Sequence, residues 1–98
     1  MIKSFKSPSL RKLWNDGHLP KRAPRGIEPK SFDRLKMLLS ALASATRPED
    51  LRLQGLGFHA LKGERRGQFA LEIKGQLRIT FEWAGSGAIN VNDEDHHG

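Results

Sequence analysis

Near its end the chain carries Asp93-Glu94-Asp95-His96-His97, just after a strand-turn-strand unit from Gln68 to Val91 that holds one arginine, Arg78. An imidazole titrates near neutrality and can give or take a proton, and a carboxylate beside it can orient the ring or share that proton. A guanidinium is permanently charged and shaped to clasp phosphate oxygens. Brought together at one sheet edge, these groups are the parts needed to cleave an RNA phosphodiester without a metal.

The same residues admit plainer readings. Arg78 could be a surface arginine paired across its hairpin with Glu72 or Glu82. His59 precedes Leu61-Lys62-Gly63-Glu64-Arg65-Arg66-Gly67, a glycine-bounded basic loop of the kind that gathers cations and backbone donors round one phosphate. A lone histidine is more often structural. His96 and His97 beside three acidic residues fit acid-base chemistry, a zinc or nickel site, or a frayed polar terminus or affinity-tag remnant. Adjacent histidines make poor joint ligands, and no cysteine or helix-spaced pair supports them. Composition alone does not choose among the three.

The elements that must position these groups follow from apolar spacing. Ile2 and Phe5 lie in a short first strand closed by Pro8. Ser9 to Asp16 predicts a short helix, with Leu10, Leu13 and Trp14 on one face and Gly17 as its stop. Gly17 to Glu28, with Pro20, Pro24 and Gly26, is a connection. The strongest helix spans Pro29 to about Ala45, its stripe being Phe32, Leu35, Leu39 and Leu42, and one capped turn follows at Thr46 to Leu51. From Phe58 onward the period becomes two. Phe69, Leu71 and Ile73, then Leu77, Ile79, Phe81 and Trp83, then Ile89 and Val91 define antiparallel strands joined by short turns at Lys74-Gly75 and Ala84 to Gly87. The expected fold is α+β, one domain over residues 1–98, with an N-terminal strand and two helices packed on one face of a sheet of three to four C-terminal strands.

Composition excludes several classes. At 98 residues and 37% apolar content the chain builds one small core. There is no apolar run of about 18 residues for a membrane span, and Met1 to Lys6 alternates apolar and charged residues unlike a secretory signal. The absence of cysteine removes disulfides and thiolate metal sites. Net charge is unevenly spread: residues 1–48 hold eleven basic against three acidic residues, a balance of +8, while the remainder holds six against eight, −2. A polyanion is the expected partner of the basic half, because phosphate contacts release condensed counterions.

Taken in order, Met1-Ile2-Lys3-Ser4-Phe5, Leu61-Lys62-Gly63-Glu64-Arg65-Arg66-Gly67-Gln68, Gly75-Gln76-Leu77-Arg78-Ile79-Thr80-Phe81 and Asp95-His96-His97 resemble the HigB toxins, the plasmid-maintenance killer proteins within the RelE/ParE superfamily. The likeness covers nearly the whole chain. It implies a RelE-like microbial-RNase fold and a cytoplasmic type II toxin that enters the ribosomal A site, cuts mRNA and inhibits translation. It further implies no cofactor and no metal, a monomer when alone, no membrane partner, and a HigA-like antitoxin that inactivates the toxin in a higher-order complex. Carried over by position, His97 is the acid or base, Asp95 its partner, Arg78 the stabiliser of phosphorane charge, and His59 a second imidazole on the 2′-hydroxyl. Lys62, Arg65, Arg66 and His96 are the RNA-binding set. Three features depart from the pattern: His96 stands where relatives carry tyrosine, Glu72 where many carry a basic residue, and the basic stretch Lys21 to Arg25 has no counterpart. The competing classes are a non-enzymatic ParE-like gyrase poison, which has no need of a proton-transfer set, and a ribosome- or RNA-binding module without chemistry.

Overall fold

The computed structural model describes residues 1–18, 29–53 and 55–95; the Lys21 to Arg25 stretch, His96 and His97 lie outside them. Helix α1 (Pro8–Asp16) begins where the hydroxyl oxygen of the extended Ser7 accepts from the Leu10 amide at 3.2 Å. Pro8 sits in the first turn, where its missing N–H costs nothing. Gly17, at φ 84°, ends the helix by donating to the Leu13 carbonyl. Leu10 and Leu13 are buried, but Trp14, expected on the same face, is 39% exposed. It stands one residue beyond Leu13, roughly 100° of helical rotation away, at the flank of the stripe.

Helix α2 (Phe32–Ser44) is entered through a 3₁₀ turn, Pro29–Ser31, and stops at Ala45 as the spacing predicts. It buries Leu35, Leu38, Leu39 and Leu42, so Leu38 joins the stripe while Phe32 is only partly covered. The expected capped turn follows at Pro48–Leu51, where the Asp50 carboxylate accepts from the Thr46 amide and hydroxyl and from the Arg47 amide. No helix among the described residues is long and apolar enough to cross a membrane.

Four antiparallel strands lie in chain order: β1 (His59–Ala60), β2 (Gln68–Lys74), β3 (Leu77–Ala84) and β4 (Gly87–Asp95). The N-terminal strand takes the form of two isolated parallel bridges, Ile2 to Ala88 and Phe5 to Val91, along the outer side of β4. Leu71, Ile73, Ile79, Phe81, Ala88 and Val91 pack against the leucines of both helices. On the same sheet face Phe58, Phe69 and Phe81 stack with centroids 5.7 and 5.6 Å apart. The alternation sends Gln68, Ala70, Glu72, Arg78, Thr80 and Glu82 to the opposite face.

The acidic tail corrects the reading of the chain end. Asp93, Glu94 and Asp95 are not a turn after the last strand but part of β4, opposite Ile79, Arg78 and Leu77. A β-bulge sets this register. Glu82 pairs with Ile89, whereas Thr80 pairs with Asn92, so one extra residue enters β4 opposite Phe81. Asn90 takes the left-handed conformation there, at φ 54°, and donates its amide to Ser4 Oγ at 2.8 Å. Asparagine is among the few side chains that adopt this conformation readily.

One further contact shapes the polar face. Arg34 of α2 donates to the Glu72 carbonyl through Nε at 3.0 Å and Nη2 at 2.8 Å, and to the Gly55 carbonyl at 2.8 Å. The Glu72 amide in turn donates to the Leu56 carbonyl. These bonds press Gly57, at φ 64°, so close to β2 that an added Cβ would lie 2.5 Å from Glu72 Cβ. Gly57→Ala is therefore expected to destabilise the fold by roughly 1–3 kcal/mol in urea unfolding, from the strain of a left-handed non-glycine residue and the clash. Gly63→Ala, at φ 68° with open space around the new methyl, should cost less.

Candidate active site

Arg78 occupies the middle of the polar face, flanked in register by Glu72 on β2 and Glu94 on β4. Its side chain is only 17% exposed, and its nearest carboxylate is Glu94, with Nη2 3.6 Å from Oε1. Glu82, the other candidate partner, accepts instead from the side-chain Nδ2 of Asn90 at 2.7 Å. The Arg78 Nε is buried and has no hydrogen-bond partner among the described residues. A guanidinium held to its carboxylate by charge, without a short hydrogen bond to it, is suited to an incoming anion.

His59 reaches the same site from β1. It pairs with Ala70, which pairs with Thr80, so the alternation puts its ring on the face of Arg78. Together with Gly57, Leu61, Glu72 and Leu77, His59 and Arg78 line an open cleft of about 460 Å³. A second, more polar cleft of about 360 Å³ runs along β3 and β4, lined by Lys6, Gln68, Thr80, Glu82, Asn92 and Glu94 among others.

The basic loop closes over this face. The Leu61 amide donates to the Gln68 carbonyl, and a 3₁₀ turn, Gly63–Arg65, tightens the connection between β1 and β2. Lys62 and Arg66 are exposed, but Arg65 turns inward. Its Nε and Nη2 donate to Gln68 Oε1 at 2.9 and 2.6 Å, while Nη1 and Nη2 donate to the two oxygens of Glu94 at 2.7 and 2.6 Å. The Thr80 hydroxyl adds a third donor to Glu94 at 2.8 Å. These bonds hold the Glu94 carboxyl down to about 2, first through Arg65 and then through Thr80 and the Arg78 charge, against the burial that pushes it up.

Of the residues singled out from sequence, the structure brings His59 and Arg78 together and sets Lys62, Arg65 and Arg66 on the loop beside them. Asp95 lies at the end of β4 opposite Leu77, so the alternation turns Glu94, rather than Asp95, toward Arg78. His97 and His96 follow Asp95 in the chain and lie outside the described residues. Sequence reasoning missed Glu94 and Thr80 as parts of this cluster. The period-two pattern did put Thr80 on the polar face with Arg78, but the Asn90 bulge hid which acidic residue would join them.

A depressed carboxyl makes stability depend on pH in a definite direction. The charged Glu94 stabilises the fold fully above its ordinary range near 4.5, and that contribution declines as pH falls toward about 2. Glu94→Gln should lower stability at pH 7 by on the order of 1–3 kcal/mol, after allowance for solvent screening of the partly exposed pair. In urea titrations from pH 7 to pH 2 the gap between wild type and variant should narrow below about pH 4.5; a constant gap would mean that Glu94 is not held as its charged form.

Residues 3–97 match the family described as RelE-like toxin of type II toxin-antitoxin system HigB. The chain is 34% identical over 97 residues to a Proteus vulgaris protein named Endoribonuclease HigB, covering 99% of this chain and all of the relative. It is 29% identical over 97 residues to Toxin HigB-1 of Vibrio cholerae serotype O1, covering 98% of both. A full-length match to that family, on a four-stranded sheet with two helices on one face and a cleft shared by His59 and Arg78 on the other, means that this chain belongs to the HigB-like toxins of type II toxin-antitoxin systems.

Proposed function

We propose that this toxin is a ribosome-dependent endoribonuclease that cuts mRNA by a metal-free transesterification and is neutralised by a HigA-like antitoxin. The observation that carries the reading is the cleft shared by His59 and Arg78, in which the guanidinium is held by charge to Glu94 at 3.6 Å and not by a short hydrogen bond. The similarity to a protein named as an endoribonuclease supports the same chemistry.

In this reading the ribose 2′-oxygen loses its proton to a base and attacks the adjacent phosphorus. The P–O5′ bond breaks, and the leaving 5′-oxygen takes a proton from an acid, leaving a 2′,3′-cyclic phosphate and a 5′-hydroxyl. Arg78 stabilises the charge that grows on the phosphorane, where a preoriented donor in a low-dielectric site is worth most. His59 positions the 2′-hydroxyl. Lys62, exposed on the loop, binds a phosphate with Arg66 as a second cation, and Arg65 supports them by holding the loop to the sheet. Asp95 and His97 form the proton-transfer pair, and His96 stacks on or hydrogen-bonds the RNA where relatives use tyrosine; these roles rest on the resemblance. The sequence offers few side chains to align a flexible RNA, so the ribosome supplies the positioning, a contribution that reaches several kcal/mol in other systems.

Primer extension on a reporter mRNA after brief induction tests the whole reading. Cleavage within translated message, with DNA topology unchanged, is expected; relaxed or broken DNA with intact transcripts would instead indicate a gyrase poison. Purified toxin should leave naked mRNA intact. Replacing Arg78 or His97 by alanine should slow single-turnover cleavage by roughly a hundred- to ten-thousandfold, whereas His96→Tyr should preserve or raise it.

The metal-free step has its own check. A chelator selective for transition metals, with magnesium kept to preserve the ribosome, should leave the rate unchanged. Loss of cutting that zinc restores would make Asp95, His96 and His97 ligands instead of proton-transfer groups.

A further inference from the structure

We propose that Glu94 is a positioning residue for Arg78: clamped by Arg65 and Thr80, its carboxylate fixes the direction of the Arg78 guanidinium toward the cleft shared with His59. The inference rests on the ribonuclease reading for its catalytic consequence, but its structural half stands independently.

The two arginines are contrasted within one cluster. Arg65 uses Nε, Nη1 and Nη2 on Gln68 and Glu94, so its donors are committed to the protein. Arg78 has a charge partner in Glu94 at 3.6 Å, beyond hydrogen-bond length, and a buried Nε with no acceptor among the described residues. The difference originates in the carboxylate. Glu94 already accepts one bond on Oε1 and two on Oε2, from a loop on one side and a strand on the other. Its oxygens are thereby held back from a fork-to-fork pair with Arg78, which leaves an electrostatic guide without spending the donors that a phosphate needs.

Charge balance requires the same carboxylate. Arg65 and Arg78 both direct guanidiniums at one oxygen pair, and without the negative charge between them the two cations would repel and swing apart. Among the described residues, the other ionisable neighbours of Arg78 on this face are Glu72, in register on β2, and His59 across the cleft. Glu72 makes no hydrogen bond to Arg78 among the described residues and faces it from the other strand, so it does not replace a clamped carboxylate. Loss of Glu94 should therefore loosen Arg78 while making the face more positive.

That combination has a kinetic signature distinct from unfolding. With programmed ribosomes as substrate, Glu94→Gln should lower kcat by on the order of 10- to 100-fold, the scale of a misplaced catalytic group. KM should stay level or fall, because a negative charge has left a surface that binds RNA. Arg65→Ala, which frees the clamp, should lower kcat in the same sense, and Arg65→Lys should recover part of it. Nitrogen NMR of the arginine side chains reads the structural half directly: the Arg78 Nη resonances should be resolved in the wild type and averaged in Glu94→Gln. An unchanged kcat together with unchanged Arg78 resonances would overturn the inference, and a raised kcat would overturn it too, since Glu94 would then be blocking the cleft. If wild type cuts no mRNA, the ribonuclease reading fails, while the Arg78 spectra still decide whether Glu94 holds the guanidinium.

Discussion

A single extra residue in β4, accommodated at Asn90, governs which side chains share the polar face. Counted back from the tight turn between β3 and β4, Trp83 meets Ala88 and Glu82 meets Ile89, a register that would bring Asp93 opposite Arg78. The bulge advances β4 by one residue, so Glu94 arrives there instead and Asp93 falls opposite Ile79. The N-terminal segment stabilises that irregularity. Ser4 Oγ accepts the Asn90 amide, the Ser4 carbonyl accepts from Val91, and Ile2 and Phe5 bridge to the strand on either side. The first residues of the chain are thus coupled, through backbone geometry, to a carboxylate near its end.

Strand β3 has to satisfy two environments, and the alternation lets it do so. Ile79 and Phe81 are buried beneath the helices, a driving force of roughly 1.5–3 kcal/mol for each such side chain. Between them Thr80, 3% exposed, is equally buried but polar, and its hydroxyl is satisfied by Glu94. Arg65 completes the closure by bringing the loop down on the same carboxylate. The result is a sheet with an apolar face and a second face where partly buried charges are paired, the Arg78 Nε having no acceptor among the described residues. Ion pairs of this kind are weak evidence for stability in themselves. Their worth here is directional, since they decide where a guanidinium points.

The cleft owes its shape to contacts remote from any proposed chemistry. Arg34 ties α2 to the backbone of β2 and to Gly55, and Gly57 passes against Glu72 at a distance that excludes any side chain. The chain then reaches His59, which pairs with Ala70. A helix that packs the core therefore also sets one wall of the cleft, which links the stability of the apolar layer to the geometry of the cationic one.

Much of the architecture was legible in the residues because it follows from period and punctuation. The helical stripe of α2, the stop at Gly17, the two-residue alternation through β2 and β3 and the family resemblance all depend on local order, and each led to the element found. Arg78 and His59 could be named on the same basis, since residue type and strand parity suffice to place a charge on the polar face. Trp14 and Leu38 were misjudged because burial at the edge of a helical stripe depends on what packs against it. The Glu94 cluster was beyond such reasoning for a different reason: three consecutive acidic residues look alike until register selects one of them. By itself the sequence determined the elements, their faces and the chemical groups on offer, because these arise from neighbours along the chain. Which carboxylate met Arg78, and which arginine kept a free donor, was decided only in the tertiary structure, where a bulge held by the N-terminal segment shifted one strand past another by a residue.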